Sequence, residues 1–444
     1  MATTDYRPHS SSGCHIRRLP NDEVSRADFI GGPNVIVPPK HLMAKSAAYE
    51  SAKAMELARE HLEEDISSAE TTPRAASPVS AQPLTTTDQY AFAFDIDGVL
   101  VRGGKPIPAA IEALKVLNGK NEYGIKVPYI FVTNGGGKTE EERCLELSRQ
   151  LEYDVSPGQF ICGHTPMREM AEKYNTVLVV GGEGEKCRQV AEGYGFKDVV
   201  TPGDIIKFNR HTTPFRELTE AELCNSRSRD FSEVRIEAIF VFADSRDWAG
   251  DQQIILDLCM SQDGRVGTRS KTFDEGLPVY FSHNDIVWST SHEHTRIGMG
   301  ALRASTEALF KAVTGKELRT IAFGKPQLGT FQFATRLLKQ WRKETHGIDY
   351  PPATVYFVGD TPESDIRGTN EFNESNLSEN QWYSILVKTG VFQDGAIPRF
   401  PPKKTCKDVL EAVNFGMRRE YRKALEQWAV DGVEKDIDGG IEKE

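Results

Sequence analysis

The chain has 444 residues, of which 39% are apolar, so it can form about three structural units and is neither fibrous nor wholly disordered. Its 54 Lys and Arg residues stand against 65 Asp and Glu residues, and the net charge of −11 argues against nucleic acid as a partner. No run approaches the ~18 consecutive apolar residues of a membrane-spanning helix, so we expect no membrane span. The seven cysteines are scattered and form no Cys-x-x-Cys pair, which favours reduced thiols in an intracellular compartment over zinc ligands.

Residues 1–89 are predicted to form an N-terminal extension that is largely disordered. The Ala-rich segment 41–65 favours one helix, and the segment 66–88, rich in Ser, Thr and Pro, is a predicted linker. The first twenty residues contain three arginines and a single acid, as a mitochondrial transit peptide would, although a plain disordered tail has the same composition. We therefore expect a mitochondrial protein, with a cytoplasmic one as the alternative.

From residue 90 onward, short apolar runs alternate with helical patterns, which predicts an α/β fold. The first βαβα series lies in 91–151, a second series lies in 176–281, and a third series begins at 320–323 and continues to 387. We interpret this pattern as a Rossmann-like, doubly wound parallel sheet that is interrupted by an inserted α/β cap domain. The predicted division of the chain is 1–89 extension, 90–150 first core part, 151–315 cap, 316–415 second core part and 416–444 helical tail.

Two acids follow the first predicted strand directly. Asp95 and Asp97 are two residues apart, and Gly98 after them allows a sharp turn. Ligands of parallel sheets bind beyond the carboxyl ends of the strands, so one carboxylate could attack a substrate while the other transfers a proton. A charged turn after a strand is the alternative interpretation.

A second strand also ends in acids, Asp360 and Asp365. Two acidic strand ends on one edge of a sheet would repel each other without a cation, and carboxylates, a backbone carbonyl and waters are the ligands that Mg²⁺ prefers. The sequence therefore predicts a magnesium site.

Two further motifs suit phosphate. Thr133, Asn134 and Gly135 bring a hydroxyl and backbone amides to a third strand end, where they can hold phosphoryl oxygens without adding charge. Lys325 follows a fourth predicted strand and could neutralise a phosphoryl group in transfer. Taken singly, the threonine could be a turn cap and the lysine a surface residue.

These four motifs, in this order, resemble those of the haloacid dehalogenase superfamily of aspartate-nucleophile phosphohydrolases, over about residues 90–415. The 191 residues from Asn134 to Lys325 leave room for a cap between the second and third motifs, as in type II members. The segments 98–108 and 131–137 are similar to the IIA group, and 368–391 resembles the eukaryotic branch named after the cat eye syndrome critical region, whose members are described as mitochondrial hydrolase-like. Members of the IIA group often dimerise through the cap, and by this analogy we expect a homodimer through the cap.

The resemblance implies a role for each motif residue. Asp95 would be the nucleophile, and Asp97 the general acid and then base. Thr133 and Lys325 would grip the phosphoryl oxygens. Mg²⁺ would be bound by the Asp95 carboxylate, the Asp97 backbone carbonyl and Asp360, with Asp365 supporting the metal waters or orienting the lysine.

The resemblance and the residues together predict a magnesium-dependent phosphatase that acts on a phosphorylated small molecule. The alternatives are a phosphotransferase linked to glycerophospholipid metabolism and a non-catalytic protein that binds a phosphorylated ligand. Asn284 and Asp285, after the last predicted cap strand, are candidate specificity residues, although ordinary turn chemistry explains them equally well. His283, His292 and His294 are expected at the surface rather than as a zinc site.

Overall fold

In the computed structural model, residues 85–438 are described, except 275 and 376, and for 429–438 only the backbone is described. The predicted helix 41–65, most of the predicted linker and the transit-like segment lie outside the described residues. The strands, in chain order, are β1 Thr85–Thr86, β2 Tyr90–Phe94, β3 Val101–Arg102, β4 Lys105–Pro106, β5 Ile125–Lys126, β6 Tyr129–Val132, β7 Phe160–Ile161, β8 Thr176–Val180, β9 Asp198–Val200, β10 Ala238–Val241, β11 Val279–Phe281, β12 Val287–Trp288, β13 Arg296–Ile297, β14 Thr320–Ala322, β15 Thr354–Gly359, β16 Gln381–Val387 and β17 Lys404–Cys406.

The α-helices of the described residues, in chain order, are α1 Pro108–Leu117, α2 Glu140–Leu151, α3 Lys186–Gly193, α4 Pro202–Phe208, α5 Glu220–Asn225, α6 Trp248–Cys259, α7 Met299–Thr314, α8 Leu328–His346, α9 Arg367–Glu374 and α10 Val409–Asp438. Helix α2 shows why such segments start where they do. The Thr139 side chain accepts a hydrogen bond from the Glu142 backbone N–H, and three glutamates occupy the first turn. Both features stabilise a helix N-terminus. None of the helices of the described residues is long and apolar enough to cross a membrane.

The core sheet has six parallel strands in the order β17-β16-β15-β2-β6-β7. Strand β2, Tyr-Ala-Phe-Ala-Phe, is buried on both faces, as a central strand of a parallel sheet must be. Its alternate residues enter two different hydrophobic clusters: Phe92 and Phe94 pack with α1 and α10 on one face, and Ala91 and Ala93 pack with α8 on the other. Helices therefore cover both faces, and the predicted doubly wound parallel sheet is confirmed.

A second parallel sheet, in the order β14-β11-β10-β8-β9, is built from the segment 162–322, which we call the cap. Helices α4, α6 and α7 cover one face of this sheet, and α3 covers the other. The structure thus confirms an α/β unit inserted between the two parts of the core.

Two strands join a different sheet from the one that the predicted domain boundaries assign to them. Strand β7, beyond residue 150, pairs with β6 in the core sheet, whereas Thr320–Ala322, predicted to resume the core, pairs with β11 in the second sheet. Strand β14 is a short edge strand whose Ile321 is exposed. Its apolar pattern identifies a strand but carries no information about which sheet it joins.

The two ends of the core also differ from the prediction. Thr85–Thr86, assigned to the linker, forms a parallel pair with Ile125–Lys126. The C-terminal helix begins at Val409 and not near residue 417, so the boundary at 415/416 lies inside a helix. Val413 and Met417 are buried in the core cluster, because the first turns of this helix cover the sheet.

Candidate active site

The candidate site lies at the carboxyl end of the core sheet. Asp95 follows β2, Thr133 follows β6 and Asp360 follows β15, and these three strands are neighbours in the sheet. Side chains that follow adjacent parallel strands meet at one edge, which is where such sheets bind ligands. Lys325 does not follow a strand of the core sheet. It follows β14 of the second sheet and precedes α8. The lysine is therefore presented by the chain segment that leaves the cap.

Lys325 is buried between two aspartates. Its Nζ lies 2.5 Å from Oδ1 of Asp95 and 2.8 Å from Oδ1 of Asp365, and only 2% of the side chain is exposed. The two carboxylates raise the pKa of Lys325 above its usual range although burial opposes this, so the ammonium stays charged. A permanently charged donor is thus held against the predicted nucleophile.

Asp95, Asp360 and Asp365 form a buried acidic cluster in which one oxygen of each carboxylate lies within 4.8 Å of the others. Burial, with the neighbouring carboxylates, raises the pKa of Asp95 well above its usual range and that of Asp360 to about 7. When ionised, the three carboxylates carry three negative charges beside the single positive charge of Lys325. An all-oxygen donor set of this charge fits a hard divalent cation such as Mg²⁺.

Asp360 is held between two glycines, a feature that the sequence analysis missed. A Cβ atom on Gly98 would lie 2.2 Å from Oδ2 of Asp360, and one on Gly390 only 1.7 Å from it. The same oxygen accepts a hydrogen bond of 2.6 Å from the Val391 backbone N–H, and Oδ1 accepts one of 3.1 Å from the Thr361 hydroxyl. Gly98 also has φ +93°, which favours glycine. The glycine after the Asp-x-Asp pair was visible in the sequence, but nothing there linked Gly390 to it.

Asp365 orients its neighbours from a short π-helical turn, Pro362–Ile366. Its Oδ2 accepts hydrogen bonds of 3.0 Å from the backbone N–H groups of Asp360 and Thr361, while Oδ1 faces Lys325. Of the two roles expected for Asp365, orienting the lysine is the one for which the structure offers a direct contact.

The side chains of Asp97 and Thr133 both lie next to Gly135. The Thr133 hydroxyl accepts a 3.0 Å hydrogen bond from the Gly135 backbone N–H. A Cβ atom on Gly135 would make ordinary van der Waals contacts with both groups, 3.4 Å from Thr133 Oγ1 and 3.5 Å from Asp97 Oδ2, so the hydroxyl and the carboxylate lie on the same side of this glycine. Burial raises the pKa of Asp97 although the charges of Arg143 and Lys325 oppose it. A carboxyl group that retains its proton more readily is suited to act as an acid.

The Asn134 side-chain amide forms hydrogen bonds with two other residues of the protein, Asp285 and Lys325. Its Nδ2 donates to Asp285 Oδ2 (2.8 Å) and to the Lys325 carbonyl (3.0 Å), and its Oδ1 accepts from the Lys325 backbone N–H (2.7 Å). Both amide hydrogens are used. Any contact of Asn134 with a phosphoryl group would have to come from its backbone.

The two candidate specificity residues point in different directions. Asp285 reaches Asn134, whereas Asn284 Oδ1 accepts a 3.1 Å hydrogen bond from Nη1 of Arg303 on α7. His283 is 5% exposed, which contradicts the expected surface position. It follows the buried strand β11, and its Nδ1 accepts from the Asp285 backbone N–H. The polar sequence around it did not indicate this burial.

His292 and His294 are exposed, as expected, and their rings are 5.9 Å apart. Within the described part of the chain, the groupings that could hold a metal ion are the acidic cluster and Glu140, Cys162 and His164. The latter three are tied together by hydrogen bonds: Tyr194 Oη donates to Glu140 and lies 2.7 Å from His164 Nδ1, and Cys162 Sγ lies 3.4 Å from Nε2 of the same histidine. The sequence analysis did not find this buried network.

Comparisons with known proteins place the chain among hydrolases. A family model described as haloacid dehalogenase-like hydrolase matches residues 92–197, and a second, HAD-hydrolase-like model matches 322–412. The chain is 38% identical over 368 residues to the mitochondrial hydrolase YKR070W of Saccharomyces cerevisiae, covering 78% of this chain and 98% of the relative. It is 39% identical over 331 residues to a cardiolipin synthase (CMP-forming)/mitochondrial hydrolase fusion protein of Schizosaccharomyces pombe. The match covers 74% of this chain and 53% of the fusion protein, so it spans about half of that relative's length.

The chain is also similar to solved structures. The hypothetical protein PH1952 of Pyrococcus horikoshii has a TM-score of 0.48 and 22% identity, with 74% of this chain and 99% of that one covered. A p-nitrophenyl phosphatase of Archaeoglobus fulgidus has a TM-score of 0.47 and 17% identity, with the same shares covered.

Proposed function

Because the chain belongs to the haloacid dehalogenase-like hydrolases, we propose that it hydrolyses a phosphate monoester of a small molecule, through an aspartyl-phosphate intermediate and with Mg²⁺. The observation that carries this proposal is the buried contact of Lys325 with Asp95 and Asp365, next to Asp360. A buried acidic cluster is costly for folding, since burial raises the pKa values of its carboxyl groups. Such a cluster is expected where catalysis requires it.

In the first step, the ionised form of Asp95, which the adjacent charge of Lys325 favours, attacks phosphorus through a carboxylate oxygen, and the bond to the leaving alcohol oxygen breaks. Asp97 donates its proton to that oxygen, which its raised pKa favours. Lys325 Nζ, beside the attacking carboxylate, offsets the charge of the incoming phosphoryl group. Thr133 would hold a phosphoryl oxygen through its hydroxyl group, and the Gly135 N–H, which donates to that hydroxyl, would have to turn from it to bind a second phosphoryl oxygen.

In the second step, Asp97 takes a proton from a water molecule whose oxygen attacks the same phosphorus. The acyl-phosphate bond breaks, inorganic phosphate leaves and Asp95 is restored. Mg²⁺, held by Asp95, Asp360 and the Asp97 backbone carbonyl, would supply electrostatic stabilisation of the phosphoryl oxygens. Asp365 would keep the lysine and the Asp360 loop in place.

The cap would close over the phosphoryl group and select the alcohol, since its chain enters and leaves between the second motif and Lys325. We expect a mitochondrial location because both curated relatives carry mitochondrial hydrolase in their names. A homodimer through the cap stays a prediction. The fusion partner of the fission yeast relative is a cardiolipin synthase, which favours phosphate esters of glycerophospholipid metabolism as candidate substrates.

Phosphate release from a panel of phosphorylated metabolites that includes glycerol phosphates, with and without Mg²⁺, tests this proposal. Asp95→Asn is the negative control. We expect Mg²⁺-dependent release from at least one ester, lost in the variant. Product that grows with added alcohol at the expense of free phosphate would indicate a phosphotransferase. Tight binding of an ester without turnover would favour the non-catalytic alternative and contradict the proposal.

A further inference from the structure

We propose that Asp285 is a positioning residue, which acts through Asn134 on Lys325 and does not select the substrate. The inference rests on the proposed function, because it concerns the lysine of that same site. Under this proposal the cap contributes to catalysis, because the carboxylate of Asp285, on a cap loop, determines the position of Lys325.

The side-chain amide of Asn134 forms two hydrogen bonds with the backbone of Lys325. Oδ1 accepts from the Lys325 N–H at 2.7 Å and Nδ2 donates to the Lys325 C=O at 3.0 Å, so both polar backbone groups of that residue are bonded to one side chain. Gly324 allows this approach, since a Cβ atom there would lie 2.6 Å from Asn134 Oδ1. Two hydrogen bonds from one planar amide fix both the position and the direction of the lysine main chain.

Asp285 favours one of the two orientations of that amide. An asparagine turned by 180° would direct its NH₂ group at the Lys325 N–H, and two donors would face each other. The Asp285 carboxylate accepts from Nδ2 at 2.8 Å, and in its ionised form it can only accept, so it stabilises the productive orientation. Without Asp285, one amide hydrogen in a nearly closed site loses its partner, since Asn134 is 5% exposed.

A backbone hydrogen bond connects Asp285 to the body of the cap. Its backbone carbonyl accepts a 2.9 Å hydrogen bond from the N–H of Gly300 in the first turn of α7, and the adjacent Asn284 accepts from Arg303 on the same helix. Helix α7 packs in the hydrophobic core of the cap through Leu302 and Phe310. Hydrogen bonds thereby connect helix α7 of the cap to Asn134 through Asp285, so the placement of the cap affects the placement of Asn134.

The close contacts of the Lys325 Nζ explain why a displacement of the lysine backbone would change the rate. Nζ is fitted between Asp95 and Asp365 at 2.5 and 2.8 Å, with almost no exposed surface. A displacement of about 1 Å in such a site can reduce a rate by about a hundredfold. Removing Asp285 should therefore lower kcat for every substrate and leave KM nearly unchanged, whereas a specificity residue would change KM or discriminate between esters.

The test compares Asp285→Ala, Asp285→Asn and Asn134→Ala by steady-state kinetics on the best ester of the panel and on a small aryl phosphate. Asn380→Ala is the matched control, because it removes another buried amide that donates to a backbone carbonyl, that of Pro352. We expect Asp285→Ala to lower kcat at least tenfold for both esters, and Asn134→Ala to lower it about a hundredfold. Asp285→Asn keeps an acceptor oxygen and should stay within about fivefold of wild type.

Hydrogen exchange of the Lys325 backbone amide provides a readout that does not need turnover. This amide should exchange faster in Asp285→Ala and Asn134→Ala, and at the wild-type rate in Asp285→Asn and Asn380→Ala. If the wild-type enzyme releases no phosphate, the proposed function fails and exchange alone decides the positioning role. Unchanged exchange in Asp285→Ala, a KM effect confined to one ester, or an Asp285→Asn variant as impaired as Asp285→Ala would overturn the inference.

Discussion

Replacing Gly390 by alanine should disable the site through Asp360. The new Cβ atom would lie 1.7 Å from Asp360 Oδ2, whereas real Cβ atoms essentially never approach another heavy atom within 3.0 Å. The difference, about 1.3 Å, is the least distance by which the two atoms must separate, and metal–ligand distances tolerate only about 0.2 Å. The carboxylate cannot simply yield, because the Val391 N–H and the Thr361 hydroxyl hold it.

We expect activity to fall about a hundredfold, as for a 1 Å misplacement of a reacting group, and the Mg²⁺ concentration for half-maximal rate to rise. The assay is phosphate release as a function of Mg²⁺ concentration, with thermal unfolding to show that the variant is folded. Gly193→Ala is the control, because it adds the same methyl group at a glycine of α3 where, apart from its chain neighbours and the backbone of its own helix, no atom of the described residues lies within 4 Å of the new Cβ. A Gly390→Ala enzyme with wild-type Mg²⁺ dependence and activity would refute the assignment of Asp360 to the metal site.

Three further predictions follow from the site and its surroundings. Asp95→Asn should lower turnover about a thousandfold or more while the protein stays folded, measured by phosphate release and thermal unfolding; activity within a few-fold of wild type would exclude Asp95 as the nucleophile. Activity should require Mg²⁺ and be inhibited by Ca²⁺, which takes more ligands at longer distances and would bind the attacking carboxylate too fully; full activity after chelation would contradict this. Burial raises the pKa of Asp251 to about 6 from 3.8, so its protonated form stabilises the fold at low pH and this contribution is lost as pH rises through 6. The unfolding free energy of Asp251→Asn minus that of wild type should therefore grow by on the order of 1 kcal/mol from pH 5 to pH 8 in denaturant titrations, and a constant difference would show that the pKa of this carboxyl group is not raised in the folded protein.

The carboxyl-end placement of the motifs could be predicted from the sequence because it depends on local order. Asp95, Thr133 and Asp360 each follow an apolar strand directly, and parallel strands that are neighbours in one sheet bring such residues together. Alternation of strands and helices likewise predicted the fold class and the inserted α/β unit. The roles assigned to these residues stay predictions.

Other features depend on contacts between residues that are far apart in the chain. Strand β14 has the pattern of a strand, but its pairing with β11 is decided by the packing of the whole cap. The burial of His283 and the contact of Gly390 with Asp360 depend in the same way on what packs against them.

Asn134 shows the difference most clearly. The sequence determined that a polar turn with a threonine, an asparagine and a glycine follows β6 at the edge where a phosphate would bind. Only the tertiary structure decided that the asparagine side chain bonds Lys325, 191 residues away, and Asp285, 151 residues away. A side-chain amide can serve equally well in a turn, toward a ligand or between segments, and the choice among these is made by the partners that folding brings within hydrogen-bonding distance.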